Sequence, residues 1–402
     1  MINCPINEIN QTNIETLITD KIEESRTLEY KEELPIGTDN EKKEFLADVS
    51  AFANASGGDI VYGIRERRDE GGKKAGRAEE AIGIASVTED EIKLKIENII
   101  RDGLSPRLKV QIKCIEGFPK GLVIILRIPQ SFSAPHMILK GSSKFYSRNS
   151  AGKYQLDVGE IRSAFLASEA LPEKIKRFRE QRLAEIIADQ TPVELISNSL
   201  LVIHLIPVSS FLYGTNAENI IVSSEKDRFK IITSTSASYS RYNIDGYLTC
   251  QKVDDNKYLS YSQIYRTGII EYVDSSFIGP GYSASEVQKY YIDGKNFETQ
   301  ITEKISNFIT LMKDFNIETP ILIMISLLNV KGVEMAIDYR TNLIESIYGH
   351  KSIDRESIIL PDILLDDFSL KIVNILKPAF DSIWQACGHR CSPNYEKQKI
   401  YK

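Results

Sequence analysis

Cysteine is scarce: five residues in 402 (Cys4, Cys114, Cys250, Cys387 and Cys391), odd in number and scattered. That pattern excludes a disulfide framework and points to a reducing compartment, so a cytoplasmic location is expected. Long apolar runs are missing too. The longest, Ile321 to Val330, falls short of the roughly 20 residues a membrane helix needs. The N-terminus has no basic stretch followed by an apolar one, so neither secretion nor membrane insertion is expected. No charge of one sign dominates: 50 Lys and Arg stand against 56 Asp and Glu, a net charge of −6. Any nucleic-acid contact must therefore come from a local basic surface. Internal repeats and low-complexity segments are absent, and 42 % hydrophobic with 26 % charged residues excludes fibrous and disordered classes. No G-x-x-x-x-G-K-[ST] sequence offers a phosphate loop, and no nucleophile–histidine signature is present.

At 402 residues the chain exceeds what one core serves, and two domains are expected, 1–190 and 191–402, with the boundary near Thr191. In the first, Phe45, Val49, Phe52 and Ala53 share a helical stripe within 41–55, ended by Gly57 and Gly58, and a strand covers 59–64. The charged, glycine-containing stretch that follows to residue 80 reads as an exposed loop. Thr88 with Glu91 and Asp157 with Glu160 form capping boxes that open helices. Leu108 to Cys114 alternates as a half-buried strand, 121–128 is a more apolar strand, and Pro172–Ala188 is a basic helix. The second half reads as strands at 199–207, 228–234, 246–253 and 258–273, a helix near 296–315, a buried strand at 320–329 and a helix near 366–386. The fold class is α+β, with a mixed α/β second domain.

Candidate chemistry starts at Glu24-Ser-Arg-Thr-Leu-Glu29-Tyr-Lys31. Leu28 and Tyr30 alternate with Glu29 and Lys31 as in a half-buried strand, so Glu29 and Lys31 share a face. A carboxylate two residues before a lysine suits a divalent cation beside a developing phosphate charge, and it equally suits a surface ion pair. Between Arg107 and Lys153 the basic residues Arg107, Lys109, Lys113, Lys120, Arg127, Lys140, Lys144, Arg148 and Lys153 face one acid, Glu116. That is the footprint of a phosphate-binding surface, with Tyr146 among the cations as a stacking platform. Cys387, His389 and Cys391 lack a fourth zinc ligand and the usual two-residue gap, so zinc is not expected there. His204, inside an apolar run, reads as a satisfied core residue.

The segment Glu24-Ser25-x-x-Leu28-Glu29-Tyr30-Lys31, followed by Val49-Ser50-Ala51-Phe52-Ala53-Asn54-x-x-Gly57-Gly58-x-Ile60-Val61-x-Gly63-Ile64, resembles the Schlafen AlbA-like domain. The likeness extends through Pro135 and Phe145-Tyr146-Ser147-Arg148-Asn149-Ser150, covering about residues 15–170. The resemblance implies Glu24, Glu29 and Glu66 as a three-carboxylate site for Mg²⁺ or Mn²⁺, with Lys31 as electrostatic support, in a metal-dependent endoribonuclease. Glu66 stands where the nuclease members have Asp, next to Arg65. The resemblance further implies tRNA or similar structured RNA as substrate, a stress or phage-defence setting, and a homodimer that supplies a second wall for the RNA. The competing reading is a non-catalytic DNA-binding transcriptional regulator whose C-terminal half senses a ligand or meets a regulatory partner.

Overall fold

The computed structural model describes the chain except residues 1, 3, 5, 69–73, 86–87, 142, 150–151, 212–237, 255, 281–289, 316, 337–351, 369 and 397–402. The strand expected at 228–234 and Ser150 lie outside the described residues. The chain divides into units Met1–Glu173 and Lys174–Lys402.

In the first unit, α1 (Gln11–Thr19) opens on a capping box between Asn10 and Asn13 and leads to β1 (Leu28–Lys31). α2 (Asp39–Ala53) starts where Thr38 Oγ1 accepts from Glu41 N and the Glu41 carboxylate accepts from Thr38 N at 2.6 Å. It ends at two left-handed glycines, Gly57 and Gly58 (φ +67° and +145°), that turn the chain into β2 (Gly58–Tyr62). A Cβ on Gly58 would lie 2.4 Å from the Thr27 carbonyl oxygen, so this close approach requires glycine.

The stretch expected as a loop is instead a hairpin of β3 (Ile64–Arg68) and β4 (Lys74–Ala81). Apolar alternation is missing there because the strands are tied partly by charge: Arg65 pairs with Glu80 directly across the ladder at 2.7 Å. α3 (Glu89–Gly103), capped by Thr88, buries Ile92, Ile96, Ile99 and Ile100 as its spacing predicts. β5 (Leu104–Ser105) and β6 (Gln111–Phe118) follow. The expected alternation over 108–114 is displaced, since β6 begins at Gln111 and buries both Cys114 and Ile115 ahead of a register shift. β7 (Gly121–Ile128), β8 (Met137–Ile138), β9 (Tyr146–Asn149) and β10 (Gly152–Gln155) complete the unit's strands.

The main sheet has the order β1-β2-β7-β6, with β1 and β2 parallel and the rest antiparallel. Phe45, Val49 and Phe52 of α2 with Ile96 and Ile100 of α3 pack on one side, against Ile60, Tyr62 and Leu126. Ile14 and Leu17 of α1 with Ala78 and Ala81 of β4 pack on the other, against Tyr30, Val61 and Ile125. α4 (Val158–Ile187) opens on the reciprocal Asp157–Glu160 box, at 2.8 and 2.9 Å, and runs unbroken through Pro172, joining two helices expected separately. Its turns from Lys174 onward belong to the second unit.

The second unit is built on an eight-stranded sheet containing β11 (Leu200–Pro207), β12 (Ser238–Tyr242), β13 (Gly246–Lys252), β14 (Tyr258–Tyr265) and β15 (Ile270–Asp274). The single strand expected over 258–273 is two, because the chain reverses at Gly268 (φ +86°). β16 (Ile278–Pro280) and β17 (Tyr290–Asp293) precede α5 (Gly294–Asp314). β18 (Ile321–Leu328), β19 (Glu334–Ala336), β20 (Ser357–Ile359) and β21 (Ile363–Leu365) precede α6 (Ile372–Ala386). The sheet order is β12-β13-β14-β15-β11-β18-β20, with β21 also on β18, and β16, β17 and β19 form a separate small sheet.

One face carries α5 and α6 through Ile305, Phe308, Phe380 and Trp384; the other meets Leu183 and Ile186 of α4. On that second face His204 is fully buried, as expected of a core histidine, but it is satisfied on one side only: Nε2 bonds Glu271 at 2.9 Å, and Nδ1 has no hydrogen-bond partner among the described residues. Among the described residues no helix is long and apolar enough to cross a membrane.

Candidate functional site

β1 carries out its predicted alternation: Leu28 and Tyr30 are buried in the α1-side core, and Glu29 and Lys31 point to the α2 side. There they meet Arg148 and Lys153 of the expected basic surface, together with Asp48 and Glu44, two acids that the sequence motifs did not single out. Glu29 Oε1 lies 2.8 Å from Lys31 Nζ, and Glu29 Oε2 accepts from Arg148 Nη1 at 2.8 Å. Lys31 Nζ also lies 3.3 Å from Asp48 Oδ2. Asp48 Oδ1 in turn accepts from Lys153 Nζ at 2.6 Å, and Lys153 reaches Glu44 at 2.7 Å. Three acids and three bases thus alternate across β1, α2, β9 and β10. Asp48 and Arg148 are buried, and Phe52 stacks on Arg148 with its ring centroid 3.7 Å from the guanidinium carbon.

Burial pushes the Glu29 carboxyl up, but the Lys31 and Arg148 charges outweigh it and hold Glu29 below its usual range. Burial pulls the Lys31 ammonium down, and the Asp48 and Glu29 carboxylates more than reverse that, so Lys31 stays charged. Asp48 goes the other way: burial, with the Glu29 charge adding to it, raises its carboxyl despite Lys31 and Lys153.

Asn54 sets the position of β9. Its side-chain amide donates to the His136 and Tyr146 carbonyl oxygens at 3.0 and 2.8 Å, and its Oδ1 accepts from His136 N at 2.7 Å. The Asn54 in the motif is thus more than a tolerant helix end; it ties the strand that carries Arg148 to the C-terminus of α2. Asp48 had a signal in the sequence, being a lone acid inside the buried run Phe45-Leu-Ala-Asp-Val49.

Glu24 and Glu66 stand apart from this ladder. Glu24 N donates to the Gly76 carbonyl of β4 at 2.7 Å, and Glu24 Oε1 accepts from Tyr30 N at 2.8 Å. Glu66 is buried within the β3–β4 hairpin, opposite Ala78. Burial raises the Glu24 carboxyl, the Tyr30 N–H opposes it, and the charges of Glu66 and Glu29 raise it further. The three glutamates are therefore electrostatic neighbours. They do not fit a metal ion as they stand, because Lys31 and Arg148 set a positive charge against each Glu29 oxygen, where it would repel a divalent ion. No group of three His, Cys, Asp or Glu among the described residues is placed to hold one.

The predicted basic surface divides. Arg127 is buried, its guanidinium forking onto Asp59 at 2.8 and 3.0 Å and donating to the Ile2 and Cys4 carbonyls. Arg148 and Lys153 face the carboxylates just described, and Tyr146 is half-buried beneath Lys153. Lys113 is half-buried on β6, whereas Arg107, Lys109, Lys120, Lys140 and Lys144 are exposed. Arg107 and Lys140 lie close enough to Asp102 that, after its Arg101 partner, both help hold its carboxyl low. The basic residues of α4 are likewise split. Arg179 binds Asp362 at 2.7 Å and Arg182 binds Glu271 at 2.9 Å, while Lys174, Lys176 and Arg177 are exposed. Near the C-terminus, Cys387 is buried, which pushes its thiol up to about 12, and the His389 ring packs edge-on to Trp384.

Residues 24–157, 134 of the 402, match the family model described as Schlafen, AlbA_2. No curated protein matches the chain. Among solved structures, the N-terminal domain of an ATP-dependent DNA helicase RecG-related protein from Nitrosomonas europaea is 17 % identical, with a TM-score of 0.28 over 37 % of this chain and 94 % of that one. The DIP2311 protein from Corynebacterium diphtheriae is 14 % identical, with a TM-score of 0.24 over 36 % of this chain and 26 % of that one. Both sequence motifs lie inside the family match, so residues 24–157 of this chain form a Schlafen AlbA_2 domain.

Proposed function

We propose that the N-terminal unit binds nucleic acid, structured RNA of the tRNA class in the first place, through Arg107, Lys109, Lys120, Lys140 and Lys144. The observation that carries this reading is the division of labour among the cations. Arg127, Arg148 and Lys153 are engaged by internal carboxylates, while these five keep their side chains at the surface, where phosphates can reach them.

A second reading, cleavage of that RNA, is supported by the closeness of Glu24, Glu29 and Glu66, whose mutual repulsion contributes to raising the Glu24 carboxyl. In it the three glutamates are the catalytic acids, Lys31 is their support, and Mg²⁺ or Mn²⁺ is the expected ion. The cations already on Glu29 weigh against it.

The deciding experiment incubates the full chain with a tRNA pool and with duplex DNA across a salt series, in EDTA and in Mn²⁺. Salt-dependent binding of intact RNA in EDTA is the expected result. Discrete fragments in Mn²⁺ that vanish in Glu24→Gln would replace it with the nuclease reading. Preference for duplex DNA would favour the transcriptional regulator, and no binding to either would overturn the proposal. Light scattering on the same sample tests for a homodimer of the 45.5 kDa chain.

A further inference from the structure

We infer that Arg148, with Lys31, is a built-in counter-cation that closes the Glu29 carboxylate to divalent metal, so that a metal site at Glu29 exists only when the guanidinium is withdrawn. The inference concerns the face assigned to nucleic acid above, and it rests on that reading only for its consequence, RNA binding that does not depend on divalent ions.

Three observations carry it. First, Glu29 has one oxygen on Lys31 and the other on Arg148, each at 2.8 Å, so a divalent ion at either oxygen would sit against a cation already there. Second, Arg148 is fixed from several sides. Nη2 donates to the Ser25 carbonyl at 3.2 Å, the Phe52 ring covers the guanidinium, and the Asn54 amide holds the backbone of β9 through Tyr146.

Third, the closed arrangement is incompletely satisfied. Arg148 Nε and Tyr62 Oη are buried without a hydrogen-bond partner among the described residues. Both belong to one charge network, since the Asp48 and Glu29 charges act on Tyr62. Buried polar groups are almost always paired in a settled core. Two unpaired ones beside the Glu29 carboxylate mark a place with a second arrangement, in which a phosphate or solvent takes up the guanidinium and Glu29 is released.

The test uses the full chain, Mn²⁺ as the probe, and calorimetry or water-proton relaxation as the readout, with no activity required. Wild type and Glu29→Gln should bind Mn²⁺ equally weakly. Arg148→Gln should bind it at least about tenfold more tightly, the smallest effect expected from deleting a unit charge in contact with the ligand carboxylate. Adding Glu29→Gln to Arg148→Gln should abolish that gain. Tight Mn²⁺ binding by wild type that Glu29→Gln removes would overturn the inference, and this comparison stands even where Arg148→Gln fails to fold. An Arg148→Gln protein that folds and gains no Mn²⁺ affinity would overturn it equally. RNA binding is measured in parallel in EDTA, so a chain that ignores RNA and still shows this metal pattern refutes the binding proposal alone.

Discussion

Replacing Glu271 by glutamine keeps the shape of the side chain and removes one negative charge from the middle of the second unit's sheet. Glu271 is fully buried on β15. Its oxygens accept from Arg182 Nε and Nη2 at 2.9 Å each, from His204 Nε2 at 2.9 Å and from the Tyr261 hydroxyl at 2.9 Å. A glutamine has a single acceptor oxygen, so its amide NH₂ must confront at least one of these donors, and Arg182 loses its buried partner. Breaking a buried pair in this way costs about 3–5 kcal/mol.

The pH dependence gives a second estimate. Burial alone would raise the Glu271 carboxyl, but its donors outweigh it and lower the pKa from 4.5 to about 2. A depressed carboxylate contributes stability above its unfolded pKa and loses it as pH falls through the folded value. Roughly 3 kcal/mol should therefore be present near pH 7 and disappear between about pH 5 and 2. The single tryptophan, Trp384, is buried in this same unit, so its fluorescence follows the relevant transition in a urea titration. Glu271→Gln should lower the stability read by Trp384 by about 3 kcal/mol at pH 7, and the gap to wild type should narrow steadily below pH 5. A difference under about 1 kcal/mol at pH 7, or one unchanged between pH 5 and 3, would refute the reasoning.

The first unit offers parallel tests. Arg127→Met leaves Asp59 buried without its counter-charge and should cost about 3–5 kcal/mol, read by urea unfolding monitored by circular dichroism. Gly58→Ala places a methyl against the Thr27 carbonyl at a φ of +145°, and should destabilise the unit by more than about 1 kcal/mol in the same assay. Asn54→Ala removes the clamp on His136 and Tyr146, costs about 1–3 kcal/mol for each buried group left unpaired, and should speed amide exchange in β9. Lys140→Ala with Lys144→Ala should weaken RNA binding and flatten its log–log salt dependence by about 0.7–0.9 for each phosphate no longer neutralised, with no change in thermal midpoint.

Much of the framework was legible because it is local. The apolar stripe of α2, the Thr88 and Asp157 caps and the two-residue alternation of β1 each need only a few neighbouring residues to declare themselves. The β3–β4 hairpin was hidden because its pairing is marked by a cross-strand Arg65–Glu80 ion pair rather than by alternating apolar residues. The β14–β15 reversal was hidden because one short turn interrupts two strands of similar composition.

Side-chain roles divided along the same line. That Glu29 and Lys31 share a face follows from the geometry of any strand and could be read from residues 28–31. Which partner each takes depends on β9 and α2 being brought beside β1, over separations of 119 residues to Arg148 and 17 to Asp48. A run of basic residues likewise says that charge is present and nothing about where it points. Only the packed arrangement turns Arg127 and Arg148 inward onto carboxylates and leaves Lys140 and Lys144 at the surface, because an ion pair is a contact between elements, and periodicity within one element carries no record of the other.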